Sequence, residues 1–447
     1  MKPPYPARRA SLIAQMQARG GGVAVIATAP EVMRNSDADY PYRHDSSFYY
    51  LSGFMEPDAV IVLVAGAQPQ TILFCREKDK EREIWDGFRY GPDAARDLFG
   101  FDAAFPIAML EQELTRCMTG VPALFYPTGS DAKLDTQVQS CLAAIRRQSR
   151  SGVSAPETLH DLTPMLHAMR TIKDRSEIDV MRHAATISSG AHARAMRMSR
   201  PGLHEYQVEA ELLHEFRLHG SEFPAYTSIV ATGANACVLH YRAGNAVLQD
   251  GDLVLIDAGC EFGGYASDIT RTYPANGKFS GPQKALYDIV LASQAAAIDA
   301  VKPGARFTAA HDAAVRVLAQ GMLDTGLLDA NTVGTLDDVL LNRDYRQFYM
   351  HGTSHWLGMD VHDVGDYHER SEAVADGQPI PPRILQPGMV LTVEPGIYVR
   401  PDAGVPEQFW HIGIRIEDDV LVTAEGHDVL SSAAPKTVAD IEALMTH

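Results

Sequence analysis

Cysteine is scarce in this chain of 447 residues, and basic residues are outnumbered. The five cysteines are Cys75, Cys117, Cys141, Cys237 and Cys260. None forms a C-x-x-C pair, and an odd, scattered set does not suggest a disulfide framework. A reducing compartment is the simpler expectation. Long apolar runs are missing as well. The longest, near Ala59–Ala67, falls far short of the ~20 residues that span a bilayer. The N-terminus, MKPPYPARRASLIAQMQARGGG, has no continuous apolar stretch of the kind a secretory signal carries. These absences point to the cytoplasm and to no membrane partner. Lys and Arg number 39 against 57 Asp and Glu, a formal net charge of −18. That shortage excludes a general nucleic-acid binder, which needs a basic face, and a polybasic membrane anchor.

What is present is an ordinary globular composition, 46% hydrophobic and 21% charged. At ~150 residues per domain the length allows two or three domains. The first part alternates helix and strand. Ala7–Arg19 has helical spacing, and Gly22–Ala27, Ala59–Val64 and Thr71–Phe74 read as buried strands. Arg34–Gly53 is rich in aromatics and turn formers and reads as a loop, and Glu83–Gly91 sets Trp85 in a similar polar context. Ser, Gly, Pro and Thr gather at Arg150–Pro164, which reads as a linker to a second domain. Ser176–Asp179 resembles an N-capping box that opens a helix to about Arg200. Further helices are expected over Glu205–His219 and Pro282–Ala300, with a strand-rich remainder.

The most informative stretch is Gly251–Pro274, GDLVLIDAGCEFGGYASDITRTYP. Two β-branched runs flank a hairpin turn at Glu261–Gly264. Centring the turn between Phe262 and Gly263 sets Asp257 directly opposite Asp268, and a shift of two still leaves them on one face. Opposed side chains stand ~4.5–5.5 Å apart, and like charges there repel. Two buried aspartates so placed call for a proton or for cations between them. Downstream lie His351 and His355, then His362, but Gly352 and Gly358 argue against a regular helix there. Glu394 in VLTVEPG and Glu417 in GIRIEDD each read as a single Glu on a buried strand, with Arg415 on the face of Glu417. A buried Glu must be paired or bind a metal. Mostly oxygen ligands with one imidazole suit Mn and also accept Zn, Fe or Co. Four carboxylates can hold two cations, which suits hydrolysis.

At these residues the chain resembles the aminopeptidase P family of Xaa-Pro aminopeptidases, within the creatinase/methionine-aminopeptidase superfamily. RNSDADYPYRHDSSFYYLSGFMEPDAV resembles the family's N-terminal domain. LIDAGCEFGGYASDITRT, MHGTSHWLGMDVHDVG, LTVEPGIY and VPEQFWHIGIRIEDD resemble its catalytic domain. The resemblance implies an α/β (α+β) fold: a creatinase-like α/β domain over 1–171, then a pita-bread catalytic domain over 172–447. It implies that Asp257 chelates one metal, that Asp268 and Glu417 bridge two, and that His355 and Glu394 complete the ligand set of the second metal. Glu394 would also handle the proton of an attacking bridging hydroxide. His240 would contact substrate and aid proton transfer, and His362 would stabilise the tetrahedral intermediate. His351 and Arg415 match supporting pocket positions. Two divalent ions are implied, Mn²⁺ as the family's usual metal, with Zn²⁺ or Co²⁺ as alternatives.

The implied substrate is a peptide with an Xaa-Pro N-terminus. The implied assembly is a homo-oligomer, dimer or tetramer, for which the aromatic segment Tyr40–Tyr50 and Trp85 could serve. Prolidase shares the fold and ligands. Methionine aminopeptidase needs no such N-terminal domain, and creatinase works without the ligands intact here. A binding or chaperone module on the same fold would be expected to have lost ligands. One segment departs from the family: Asp366–Arg383 is longer than the usual connection and reads as an exposed surface loop.

Overall fold

The computed structural model describes residues 4–369 and 380–446. Contacts divide the chain into two compact units, Met1–Arg170 and Thr171–His447.

In the first unit the β-branched runs become strands β1 (Gly22–Ala27), β2 (Val60–Ala65), β3 (Gln70–Cys75), β4 (Ala103–Pro106), β5 (Ala123–Tyr126) and β6 (Thr158–Asp161). They form one six-stranded sheet in the order β4-β3-β2-β1-β5-β6. Only β2 runs antiparallel to its neighbours. Val23, Val25, Val62 and Phe74 pack under Leu114, Val138 and Leu142 of two helices. Both faces of the central strands are buried, which is why they read as continuous apolar runs.

Three expectations change in this unit. Arg34–Gly53 is not all loop, because it contains a helix at Ser46–Ser52. The Asp45 carboxylate caps it by accepting the Phe48 N–H at 2.8 Å, and Gly53 ends it at φ 69. Phe48, Tyr49, Tyr50 and Leu51 are therefore core residues. Arg150–Pro164 is not a linker, since it contributes β6, paired in parallel with β5. Trp85 lies on a short helix, Lys80–Asp86, and is 84% exposed.

The second unit opens with the helix Arg175–Met198. Its capping box lies two residues earlier than expected. Asp174 accepts the Ser176 and Glu177 N–H groups, and the Glu177 carboxylate accepts the Asp174 N–H at 2.9 Å. The helices Glu205–Leu218 and Gly281–Ala300 follow. The strands that matter for the site are β7 (Ile229–Thr232), β8 (Leu253–Asp257), β9 (Cys260–Phe262), β10 (Tyr265–Ala266) and β11 (Thr270–Pro274). After a long excursion come β12 (Val390–Val393), β13 (Gly396–Tyr398), β14 (Gly413–Arg415) and β15 (Asp418–Val422). β8 is central between β7 and β11, and β12 pairs antiparallel with β15. Their inner faces share one core with the helices, including Val254, Ile256, Leu286, Val290 and Ile414. Among the described residues no helix is long and apolar enough to cross a membrane.

The segment 366–383, expected to be a surface loop, is described only at its ends, and 370–379 lie outside the described residues. The ends pair with each other: the Glu369 N–H donates to Pro381 O at 2.9 Å, and the Arg383 N–H to Tyr367 O at 3.0 Å.

Candidate metal centre

The hairpin that carries the two aspartates turns on Gly263 and Gly264, at φ 57 and 78. Two successive left-handed residues make a tight hairpin turn that other residues resist. The turn centre therefore lies one residue later than expected, and the register shifts by two. Asp257 pairs with Thr270, not with Asp268. The ladder continues past the strand ends, with Ala258 N–H to Ile269 O and Ser267 N–H to Cys260 O, both 3.0 Å. Asp268 accordingly faces Gly259, where a Cβ would sit 1.8 Å from Ser267 O. Glycine is the residue that lets the two backbones close here, and both aspartates still share one face.

Glu394 and Glu417 do not lie within strands, as the sequence pattern suggested. Each sits where the chain leaves one sheet for another, between β12 and β13 and between β14 and β15. Their backbones tie the ligand segments together. Glu394 N–H donates to Thr353 O at 2.8 Å, and Thr392 N–H to His355 O at 3.0 Å. Glu417 N–H donates to Thr270 O at 3.0 Å, and Asp268 N–H to the Asp419 carboxylate at 3.1 Å. The candidate ligands thus form two tied pairs, His355 with Glu394 and Asp268 with Glu417. Residues 350–364 carry no regular helix. A buried ion pair, Lys173 Nζ to Asp363 Oδ2 at 2.9 Å, anchors the far end of that loop.

These segments meet at the floor of a cleft of about 480 Å³. Asp268, His355 and Glu417 offer ligand atoms within 4.8 Å of one another. Glu394 Oε1 lies 3.7 Å from His355 Nε2. Asp257 is held differently: Arg415 Nη2 donates to its Oδ2 at 2.6 Å, and the Tyr226 hydroxyl approaches its Oδ1 at 2.6 Å. That hydroxyl also lies 2.5 Å from Asp268 Oδ1. So the structure brings together three of the five expected ligands, with Glu394 beside them and Asp257 held by Arg415 and Tyr226.

His355 Nδ1 lies 3.0 Å from Trp356 O. A carbonyl only accepts, so the proton sits on Nδ1 and Nε2 turns toward the carboxylates as a ligand must. His362 stacks on His355 at 3.9 Å between ring centres. His351 Nε2 lies 2.8 Å from the Tyr398 hydroxyl, which also receives Arg415 Nη1 at 3.0 Å. His240 lies on the exposed side of the cleft wall.

The electrostatics ask for a cation. Burial, then the charges of Asp268 and Glu394, hold Glu417 well above the ordinary carboxylate range. Burial raises Asp268, and burial raises Glu394 to about 7 despite His355 and Arg415. Burial alone would lower His355, but the hydrogen bond and charge of Asp268, with Glu394, leave it at about 9. Burial and Arg415 take His351 down to about 4, and burial and His355 lower His362. Among the described residues no Lys or Arg pairs with Asp268, Glu394 or Glu417. Crowded oxygen donors without a fixed cation, plus one oriented imidazole, fit a divalent metal.

Tyr226, Tyr398, Thr270 and Thr353 gave no signal in the sequence. Thr270 Oγ1 donates to Glu417 Oε2 at 2.7 Å, and Thr353 Oγ1 meets both His311 Nδ1 and the Tyr349 hydroxyl. All four reach the site through contacts between distant segments.

Comparison with known proteins follows the same lines. Residues 179–424 match Metallopeptidase family M24, and residues 5–125 match Aminopeptidase P, N-terminal domain. The chain is 45% identical to the Xaa-Pro aminopeptidase of Escherichia coli (strain K12), covering 98% of this chain and 96% of that one. It is 43% identical to the Haemophilus influenzae Xaa-Pro aminopeptidase, over 99% and 97%. The solved structure of Pseudomonas aeruginosa aminopeptidase PepP superposes with a TM-score of 0.93 at 48% identity, over 99% and 97% of the two chains. A zinc-substituted Escherichia coli aminopeptidase P in complex with product gives 0.92 at 44% identity, over 99% and 97%.

Proposed function

This chain belongs to metallopeptidase family M24, and from that premise we propose that it removes the N-terminal residue from peptides with proline in the second position. The observation that carries the reading is the meeting of Asp268, His355 and Glu417 within 4.8 Å on the floor of an open cleft. Near-full-length similarity to Xaa-Pro aminopeptidases supports the substrate class. An Xaa-Pro bond has no N–H, so its cleavage needs a site that polarises the carbonyl and protonates the prolyl nitrogen.

Asp257, Asp268, His355, Glu394 and Glu417 are the residues that would hold two divalent ions. Bound ions supply Lewis acidity, which lowers the pKa of water and polarises the scissile carbonyl. Glu394 carries the proton from the attacking water to the departing prolyl nitrogen. His362 faces the cleft beside His355 and donates to the oxyanion that develops. His240, on the exposed wall, contacts the peptide and assists proton transfer. Arg415 orients Asp257, and Tyr398 links Arg415 to His351. Tyr226 keeps Asp257 and Asp268 in register.

Manganese is the proposed metal, on a donor set of four carboxylates and one imidazole. The cytoplasm is the proposed location, supported by five cysteines that are all buried and unbridged. A homo-oligomer, dimer or tetramer, is the proposed assembly, supported by the exposed apolar side chains of Ile84, Trp85 and Phe88. The test of function is release of the first amino acid from an Xaa-Pro-Xaa tripeptide after loading with Mn²⁺. The tripeptide should be cut in preference to the Xaa-Pro dipeptide. No turnover after loading refutes the activity, and a strict dipeptide preference replaces it with a prolidase.

A further inference from the structure

One wall of the cleft is made by Leu239, His240, Tyr241 and Arg242. They belong to the connector between β7 and β8, which has no regular structure beyond a short turn at Gly233–Cys237. Such a segment needs an external anchor to hold a fixed shape. The anchor is Glu205, the first residue of the helix Glu205–Leu218, whose residue is 0% exposed. Its Oε1 accepts the Thr232 N–H at 2.9 Å and Asn235 Nδ2 at 3.0 Å. Its Oε2 accepts the Tyr241 hydroxyl at 2.8 Å and the Gly244 N–H at 3.1 Å. All four donors lie on the connector or on the strand end that enters it. The Glu205 N–H adds a fifth tie, to Ala246 O at 3.0 Å.

Burying a carboxylate is costly, and no Lys or Arg among the described residues pairs with this one. Only its full set of donors offsets that cost. An apolar residue would fill the space with less desolvation, so stability alone does not account for a glutamate here. The grip is also directional. One carboxylate oxygen holds the start of the connector, and the other holds Tyr241 and Gly244, on either side of Arg242. We propose that Glu205 is a positioning residue for substrate binding: it clamps the 233–246 connector so that His240 and Arg242 face the peptide. The substrate class rests on the Xaa-Pro reading above, but the clamp itself does not.

The experiment uses the full-length, metal-loaded enzyme and the variants Glu205→Gln, Glu205→Asp and Tyr241→Phe. Amide hydrogen exchange reports the clamp directly, because the Thr232 and Gly244 N–H groups are bonded to the carboxylate. Glu205→Gln should speed exchange at Gly244 and raise KM for an Xaa-Pro-Xaa tripeptide about tenfold, the loss of one charge-assisted bond. Metal content should stay at the wild-type level. Tyr241→Phe should raise KM about threefold, and Glu205→Asp should recover part of the Gln defect. A residue of merely structural importance would lower the folded fraction and leave KM unchanged. A folded Glu205→Gln enzyme with wild-type exchange and KM overturns the proposal. If that variant does not fold, wild-type KM and Gly244 exchange in Tyr241→Phe overturn it. If the wild type cuts no Xaa-Pro peptide, the function fails, and the exchange data still decide the clamp.

Discussion

Replacing Arg271 by methionine separates the stability of the centre from its chemistry. Arg271 and Asp418 have side chains 0% exposed and meet at 2.7 Å. The guanidinium also donates to Thr270 O at 2.9 Å, Glu417 O at 2.6 Å, Ala434 O at 3.0 Å and Pro435 O at 3.0 Å. Methionine matches much of its volume and none of its donors. Removing one partner of a buried pair costs about 3–5 kcal/mol, because the other charge stays behind. Lys436 Nζ, 2.7 Å from Asp418 and partly exposed, relieves part of that and places the expectation near the lower figure. Adding Asp418→Leu removes the stranded charge, so the double variant should recover about half of the loss or more. The lost anchor on Glu417 O does not return. Metal affinity should therefore stay about 10–100-fold below wild type in both variants. Guanidinium unfolding of the metal-free protein, followed by tryptophan fluorescence, gives the first quantity, and Mn²⁺ titration gives the second. A single-variant loss under about 1 kcal/mol, or a double variant equal to the sum of the singles, refutes the reasoning.

Other outcomes follow from the same geometry. Asp268→Ala or Glu417→Ala should abolish turnover and most metal binding, as elemental analysis and a tripeptide assay will show. Full activity in either would remove that residue from the centre. His362→Ala should lower kcat by about 10²–10³, the loss expected for one oxyanion donor, while metal content stays near normal. A matching loss of metal would make it a ligand instead. His192, whose Nε2 lies 2.9 Å from Ala258 O, is pushed by burial down to about 4. The unfolded chain takes up that proton near its ordinary value while the folded chain does not. Stability from this group is thus full at neutral pH, falls by about 1.4 kcal/mol per unit as pH drops below about 6.5, and is fully lost below its folded value. Denaturant unfolding of wild type against His192→Gln over pH 7 to about 4 isolates it. Parallel pH curves would disprove the assignment.

The sequence made the chemistry more legible than the local geometry. Asp257 and Asp268 announce themselves because a two-glycine turn between β-branched runs restricts the register. The remaining error of two residues arose because a turn can centre on either side of Gly263. Glu394 and Glu417 were legible as buried acids but not as residues at strand breaks. Pro395 and Gly396 follow Glu394 directly and mark its break, but the apolar runs on either side of them read as one strand. After Glu417 the next strand starts at once with Asp418, so nothing there marks where the chain changes sheets. The Ser46–Ser52 helix is too short for its period to show, and its aromatic residues imitate a loop. Strand β6 was hidden for the opposite reason, since TLHD at a sheet edge is mostly exposed and carries no apolar alternation. Tyr226 and Tyr398 had no local signal, because each is placed by strands distant in sequence.

The backbone ties among the ligands have a consequence for the ions the site accepts. His355 is tied to Glu394 through Thr392 and Thr353, and Glu417 to the segment of Asp268 through Thr270. The two pairs are tied in turn, because β12 and β15 share a ladder and the Ile416 N–H donates to Pro395 O at 3.3 Å. The ligand backbones therefore form one frame of fixed spacing, and the side chains, such as His355 Nε2 and Asp268 Oδ2 at 3.4 Å, are left to adjust within it. An ion of larger or smaller radius is met by side-chain rotation with no backbone bond broken, so one divalent ion replaces another at little structural cost.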